Sequence, residues 1–165
     1  MGMPMGAQAN AGNMPPDMHW ALVLVIGIFT LGIFSIYWLF KQANFVKQID
    51  PTSKALPLAM ASVGLRVLYV VIYLLLFALL RMMDSYALMS AVSGLSSLIS
   101  LASAVCMILA AFQMRTSLQN YYNSVEPIGL KLSGVMTFFF SVLYFQHHFS
   151  RIVKWKTTGV LDPQG

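Results

Sequence analysis

Charge is what this chain has least of. Asp, Glu, Lys and Arg make up 9% of its 165 residues, against about 25% in soluble globular domains. With 58% apolar residues and a mean hydropathy of +0.73, it has too little polar surface to enclose a core in water. A bilayer is the solvent that accepts so much apolar surface. Acids are scarcest: the five Asp and Glu stand singly at segment ends and in loops, so there is no carboxylate pair for acid–base chemistry. The single cysteine, Cys106, excludes an internal disulfide and a cysteine-rich metal site. Neither a Gly-x-Ser-x-Gly elbow nor a glycine-rich phosphate loop occurs. These absences predict a protein that is not an enzyme and carries no cofactor. Targeting signals are missing too. The first apolar run is too long for a signal-peptide core and is expected to stay on the mature protein. Met1-Gly2-Met3-Pro4 lacks the Ser/Thr of a myristoylation signal, so no lipid anchor is expected.

What is present is a set of apolar runs with cations beside them. The net charge of +5 comes from ten Lys and Arg clustered at the ends of those runs. That pattern reads as membrane topology and contact with anionic lipid, not as nucleic-acid binding. Residues 1–18, rich in Met, Gly, Pro, Ala and Asn, are expected to form a disordered tail. Residues 19–158 would form one membrane helical domain and 159–165 a short tail, an all-α integral membrane protein. Four membrane-embedded segments are expected, at about 20–40, 57–80, 87–114 and 132–149. Thr30-Leu31-Gly32 is placed to bend the first. Lys41–Ile49 and Phe149–Lys156 continue the first and last segments as basic, amphipathic helices of interfacial type. Residues 115–131 read as a polar loop, and the short connection at 81–85 makes segments two and three an antiparallel hairpin. In segment three Ser90, Ser93, Ser97, Ser100 and Ala104 recur at spacings of three and four. Such a stripe lets another backbone approach closely, where dispersion and serine hydrogen bonds drive packing in a membrane.

Two topologies are open. Four full spans place four Lys/Arg on one side and five on the other, which leaves almost no positive-inside bias. If segments one and four are instead re-entrant or interfacial hairpins around two true spans, eight fall on the cytoplasmic side. Only Arg81 then lies outside, with Arg66 in the membrane.

The two ends of the chain echo each other. With an offset of 107 residues, Gly27 falls on Gly134, Thr30 on Thr137, Tyr37 on Tyr144, Val46 on Val153 and Lys47 on Lys154, five identities in 21 positions. The stretch TLGIFSIYWLFKQAN, with its Gly-Ile-x-x-x-Tyr-Trp core and basic exit, resembles the bacterial membrane family known as domain-of-unknown-function 4234. YFQHHFSRI near the C-terminus is similar to that family's Tyr-x-Gln-(Tyr/His)-His-x-Asn ending, with Ser150 in place of Asn. The resemblance implies a small multi-pass protein of the bacterial inner membrane. It carries over no catalytic residue, because the family has no established activity. Members often bear a zinc ribbon before the first segment, and this chain has no cysteine there.

Arg66 is the most informative single residue. It lies about 13 Å along a helix from Pro57, and a charge at that depth points to function. Ser62, Tyr69 and Tyr73 share its face, a polar stripe able to hold an anionic head group or a partner's carboxylate. The plainer alternative is a guanidinium that snorkels to the interface. With Gln146, His147 and His148 these residues form the candidate intramembrane polar site. The adjacent histidines point about 100° apart on a helix and lack further ligands, so packing is the better reading for them than metal binding. The Met-rich tail with His19 has the thioethers that select soft copper, but no membrane segment here has the Met-x-x-x-Met pattern that accompanies such tails. Trp38, Lys41, Lys47, Lys54, Arg151, Lys154, Trp155 and Lys156 are expected to face lipid, each cation contributing about 1 kcal/mol near an anionic surface. The expected function is non-catalytic: action through helix packing, as an assembly subunit or homo-oligomer whose partners are lipids and other membrane proteins. A small channel or transporter with a polar path near Arg66, His147 and His148 is the alternative.

Overall fold

A computed structural model of the chain describes residues 14–80 and 86–160, without the side chains of 78–80 and 86–89. The described residues hold α1 (Trp20–Phe29), α2 (Ile33–Ile49), α3 (Ala55–Leu80), α4 (Tyr86–Ser124) and α5 (Gly134–Thr158), and no strand. The all-α expectation holds. The chain divides into two units. The first runs to Leu56 and resumes at Ala111, and the second is Pro57–Ala110, so α4 contributes to both. The 81–85 connection and most of the expected N-terminal tail lie outside the described residues.

In the first unit the leading apolar segment is not one helix. It stops at Phe29, turns through Thr30, Leu31 and Gly32, and restarts as α2. Leu31 and Gly32 both have positive φ, 51° and 88°, a left-handed pair that ends a helix and reverses the chain. The Thr30 hydroxyl donates to the Ile26 carbonyl at 2.7 Å and accepts the Phe34 N–H at 3.1 Å, bridging both sides of the turn. A Cβ on Gly27 would lie 2.5 Å from Ser35 Oγ, so a side chain there would turn the Ser35 hydroxyl aside where α1 closes on α2. The turn carries a bare apolar tip: Phe29 is 84% and Leu31 94% exposed.

The last segment is also broken. Ser141 has φ 29° and ψ −98° inside α5, and Tyr144 reaches back across the bend to accept the Ser133 N–H at 2.8 Å. In a straight helix those residues would be about 16 Å apart along the axis, beyond a tyrosine's reach. Phe138, Phe139 and Phe140 form a second exposed apolar tip.

The amphipathic halves of α2 and α5 were expected to lay their apolar faces on lipid. They lie on each other instead. Phe45 and Phe149 meet edge to face with centroids 5.4 Å apart, and Leu39, Val46, Phe145 and Ile152 are buried with them. The pairs linking the two helices are 108 and 104 residues apart. From Trp38 on Gln146 to Phe45 on Phe149 the contact advances in the same direction along both helices, so they run parallel, close to the offset of the sequence echo. Trp38, Leu39, Gln42 and Phe45 are buried, and so are their echoes Phe145, Gln146, Phe149 and Ile152.

The polar loop expected at 115–131 begins only after Ser124. Ala111, Met114, Leu118 and Tyr122 repeat at helical spacing and are all buried, so α4 runs three more turns to bury that stripe. Arg115 Nε and Asn123 Nδ2 then hold the returning chain through the carbonyls of Leu132 and Leu130, at 2.8 and 3.1 Å. Within the last residues of the expected tail, Pro15 is buried, and the Pro16 and Met18 carbonyls are held by α5.

The second unit is simpler: α3 and the first part of α4, mostly exposed. Two helices of the described residues, Ala55–Phe77 and Ser90–Ser124, are long and apolar enough to cross a membrane, where four segments were expected. The physical reasons are local. The turn at 30–32 leaves α1 with 10 residues, about 15 Å, half a hydrocarbon core. The break at Ser141 leaves α5 with a short apolar arm and a long basic one.

Gly32→Ala should therefore lower stability by about 1 kcal/mol, since a side chain in the left-handed region costs that much. Gly64→Ala, in the interior of α3 with open space around it, should not be destabilising. Chemical denaturation of the detergent-solubilised variants measures both.

Candidate functional site

The densest polar arrangement is a buried cluster of side-chain amides in the first unit. Gln146 projects from α5 after the Ser141 break, and Trp38 and Gln42 project from α2 one turn apart. Gln146 Oε1 accepts from Trp38 Nε1 at 2.7 Å and from Gln42 Nε2 at 3.2 Å. Its Nε2 donates to the carbonyls of Met18 at 2.7 Å and Pro16 at 3.2 Å. Gln42 Nε2 also donates to the Val142 carbonyl at 3.0 Å. Gln42 and Gln146 are fully buried, so every one of these bonds replaces water that cannot enter. Gln42 Oε1 alone in the cluster lacks a partner. Neutral amides neither transfer protons nor attack carbonyls; in this arrangement they hold α2, α5 and the chain before α1 together.

Beyond the node, His147 is exposed and His148 is buried, the split expected of neighbours on a helix. The Tyr144 ring packs edge to face on His148 at 4.7 Å. Burial first, then the positive field of Arg151 and His147, pushes the His148 imidazole down to about 4, so it is neutral at pH 7. Its Nδ1 is buried without a partner. No group of three His, Cys, Asp or Glu able to hold a metal occurs among the described residues. A cavity of about 910 Å³ opens beside these residues, between α1 and the kinked α5.

The other expected site residues belong to the second unit. Arg66 Nε donates to Ser103 Oγ at 2.8 Å, and Ser103 Oγ donates to the Ser62 carbonyl at 2.9 Å. Ser62 and Ser103 are buried while Arg66 is largely exposed. The cation is thus held by a hydroxyl already anchored to α3. Tyr69, Tyr73 and Phe77 follow one another along α3, Tyr69 tilted on Tyr73 and Tyr73 stacked on Phe77, with centroids 5.9 and 6.1 Å apart. The serine stripe is exposed at Ser90, Ser93, Ser97 and Ser100, and with Ala104 and Tyr69 its last turns line a shallow recess of about 580 Å³.

Two residues expected to face lipid do not. Trp38 is 3% exposed, drawn inward because its indole N–H has a buried acceptor in Gln146. The Lys156 side chain is 1% exposed and paired with Glu126 at 3.0 Å, beside the Tyr122 ring. Lys41, Lys47, Lys54 and Lys154 are exposed, and Arg151 and Trp155 half-buried. Lys41 lies 5.3 Å from the Trp38 ring and 5.5 Å from that of Tyr37, so the indole supports a cation instead of meeting lipid itself. Gln42, Ser103 and the carbonyls of Pro16 and Met18 were missed by sequence reasoning. Gln42 had a signal, a polar residue one turn after Trp38 on a face otherwise apolar. Ser103 had none, since it stands one position before the stripe that drew attention.

The family model described as a domain of unknown function (DUF4234) matches residues 18–120. The match contains Trp38 and Gln42 and ends before the motif around Gln146. No curated protein and no solved structure matches the chain.

Gln146→Leu would leave the buried Trp38 indole N–H without an acceptor and take one of two acceptors from Gln42 Nε2. It should cost about 2–4 kcal/mol and expose Trp38, seen as a red shift in tryptophan emission, whereas His147→Ala should be near neutral. The folded-state pKa of His148 is depressed, so between about pH 6.5 and 4 the unfolded chain binds a proton that the folded chain refuses. Stability should therefore fall as pH drops through that window, and His148→Gln should flatten the fall in the same denaturation measurement.

Proposed function

Because the chain belongs to the family described as a domain of unknown function (DUF4234), we propose that it is a non-catalytic, multi-pass protein of the bacterial inner membrane that works by helix packing. In this reading it assembles with further copies or with other membrane proteins. The observation that carries it is the bareness of the second unit. Only 6% of the most apolar window of α3 and 17% of that of α4 is buried.

The serine stripe supports packing over simple lipid exposure. Ser93 donates to the Ser90 carbonyl at 2.8 Å and Ser97 to the Ser93 carbonyl at 3.0 Å. With those hydroxyls satisfied inside α4, the stripe presents small, smooth surface to another helix. In this reading α3 and α4 span, and the chain re-emerges at residue 110 on the side it left at 57. The two apolar tips of the first unit dip into the bilayer in this reading. Because α2 and α5 run parallel, both pass in the same direction from apolar tip to basic exit, which matches a hydrophobic dip with cations at the head groups. The one-sided arrangement also restores the positive-inside bias that four full spans would lose.

Extraction from the native membrane in mild detergent should give a particle larger than one chain, and Ser93→Leu with Ser97→Leu should shrink it. A monomer, or a particle indifferent to those changes, overturns the packing reading. Flux through proteoliposomes that is lost in Arg66→Leu would put the channel alternative in its place. Single cysteines introduced at Gln48 and Thr157 in a Cys106→Ala background should label from the same face of the membrane.

A further inference from the structure

The cavity beside α5 is graded from apolar to cationic. Trp20 and Leu24 of α1 face Met136, Phe140 and Leu143 of α5 across it, giving walls that suit a hydrocarbon chain. At the other end are Lys131, Tyr144, His148 and Arg151. The bend at Ser141 brings these together. Ser133 is tied to Tyr144, which returns the segment bearing Lys131 to the arm bearing Arg151, and Tyr144 in turn packs on His148. No carboxylate lines the cavity. Its volume of about 910 Å³ lies within the usual range for small-molecule sites, well above a packing defect.

His148 also lines the cavity, and a chain in the apolar half would cover Trp20 and Phe140, which are 43% and 52% exposed. Neutral amphiphiles would fill the walls but bring no negative charge to the cationic end.

We propose that this cavity is a binding site for one anionic phospholipid, with an acyl chain between α1 and the first arm of α5 and the phosphate at Lys131 and Arg151. The inference deepens the membrane reading, which supplies the source of the lipid, but it concerns the first unit and does not depend on how α3 and α4 assemble. It also gives the kink a use. A straight α5 would place Lys131 and Arg151 at opposite ends of a rod.

The test is native mass spectrometry of the full chain in a non-ionic detergent, titrated separately with phosphatidylglycerol, with phosphatidylcholine of the same chains, and with inorganic phosphate. Phosphatidylglycerol should be retained at one per chain and preferred over phosphatidylcholine. Lys131→Gln, an exposed change that leaves the packing alone, should weaken retention about fivefold, the share expected of one cation near an anionic head group. Leu143→Trp should fill the apolar half and abolish retention, with an unchanged circular dichroism spectrum showing that the fold is intact. Equal retention of both lipids, or wild-type retention by Lys131→Gln and Leu143→Trp, would overturn the proposal. Displacement of the lipid by inorganic phosphate at the same concentration would overturn it too, leaving only a small-anion site. Particle size is read in the same spectra, so a failure of assembly and a failure of lipid binding are seen separately.

Discussion

The hydrogen bond from the Trp38 indole to the Gln146 amide oxygen is the constraint on which the first unit depends. Both groups are buried, and a buried N–H or amide must find a partner or give up much of a folding unit's stability. That requirement fixes the register of α2 on α5. Sliding either helix by one residue would rotate its polar group about 100° away and strand its partner. It also recruits the chain before α1, since the two N–H groups of Gln146 end on the Met18 and Pro16 carbonyls. One side chain thereby ties α5 to two stretches of chain that are more than a hundred residues away from it in sequence. Phe45 on Phe149 adds about 1 kcal/mol of aromatic packing one turn further on.

Given that register, the two broken helices follow. Parallel helices need long connections, and here each approach is made by a short apolar arm that turns back. The turns differ in means. Gly32 supplies a left-handed residue at little cost, with Leu31 sharing the conformation and held by the Thr30 hydroxyl. The second turn has no glycine. Ser141 takes the unfavourable backbone, offset by bonds that only the bent form allows: Ser133 to Tyr144, and Gln42 to the Val142 carbonyl. Strain at such a residue persists where its surroundings over-determine it, and here the surroundings are the amide node itself.

Much of this was legible in sequence, and the remainder failed for identifiable reasons. Helical periodicity, the bend at Thr30–Gly32 and the echo between the ends all have counterparts in the structure. The echo resolves into two helices lying side by side with matching burial. Composition misled where it was used to assign direction. An apolar stripe beside lysines is the same pattern whether it meets lipid or another helix, and Phe45 and Phe149 chose each other. Trp38 was assigned to the interface because tryptophan is common there. Its acceptor lies 108 residues away, beyond any local pattern. Polar residues around Arg115 and Asn123 obscured the buried stripe from Ala111 to Tyr122, which a strict count of spacings would have found. Ser103, the partner of Arg66, is visible only once α3 and α4 have a register.

The two units solve the same problem in opposite ways. In the first, apolar side chains and most of the buried amide groups are matched within the chain, and the surface left over includes the two apolar tips, the graded cavity and a rim of lysines. In the second, little is matched beyond Arg66, Ser103 and Ser62, and the apolar residues of α3 and α4 point outward almost everywhere. For a pair of helices so bare, the free energy of removing those side chains from water, about 25 cal/mol per Å², is not gained inside the unit. A bilayer can cover leucine and valine at no loss, but it gives nothing extra for Ser90, Ser93, Ser97 and Ser100 on a common stripe. Another helix does, through close approach and dispersion. The asymmetry therefore separates a unit whose buried side chains are held mostly by its own chain from one whose apolar side chains are left for something else to cover.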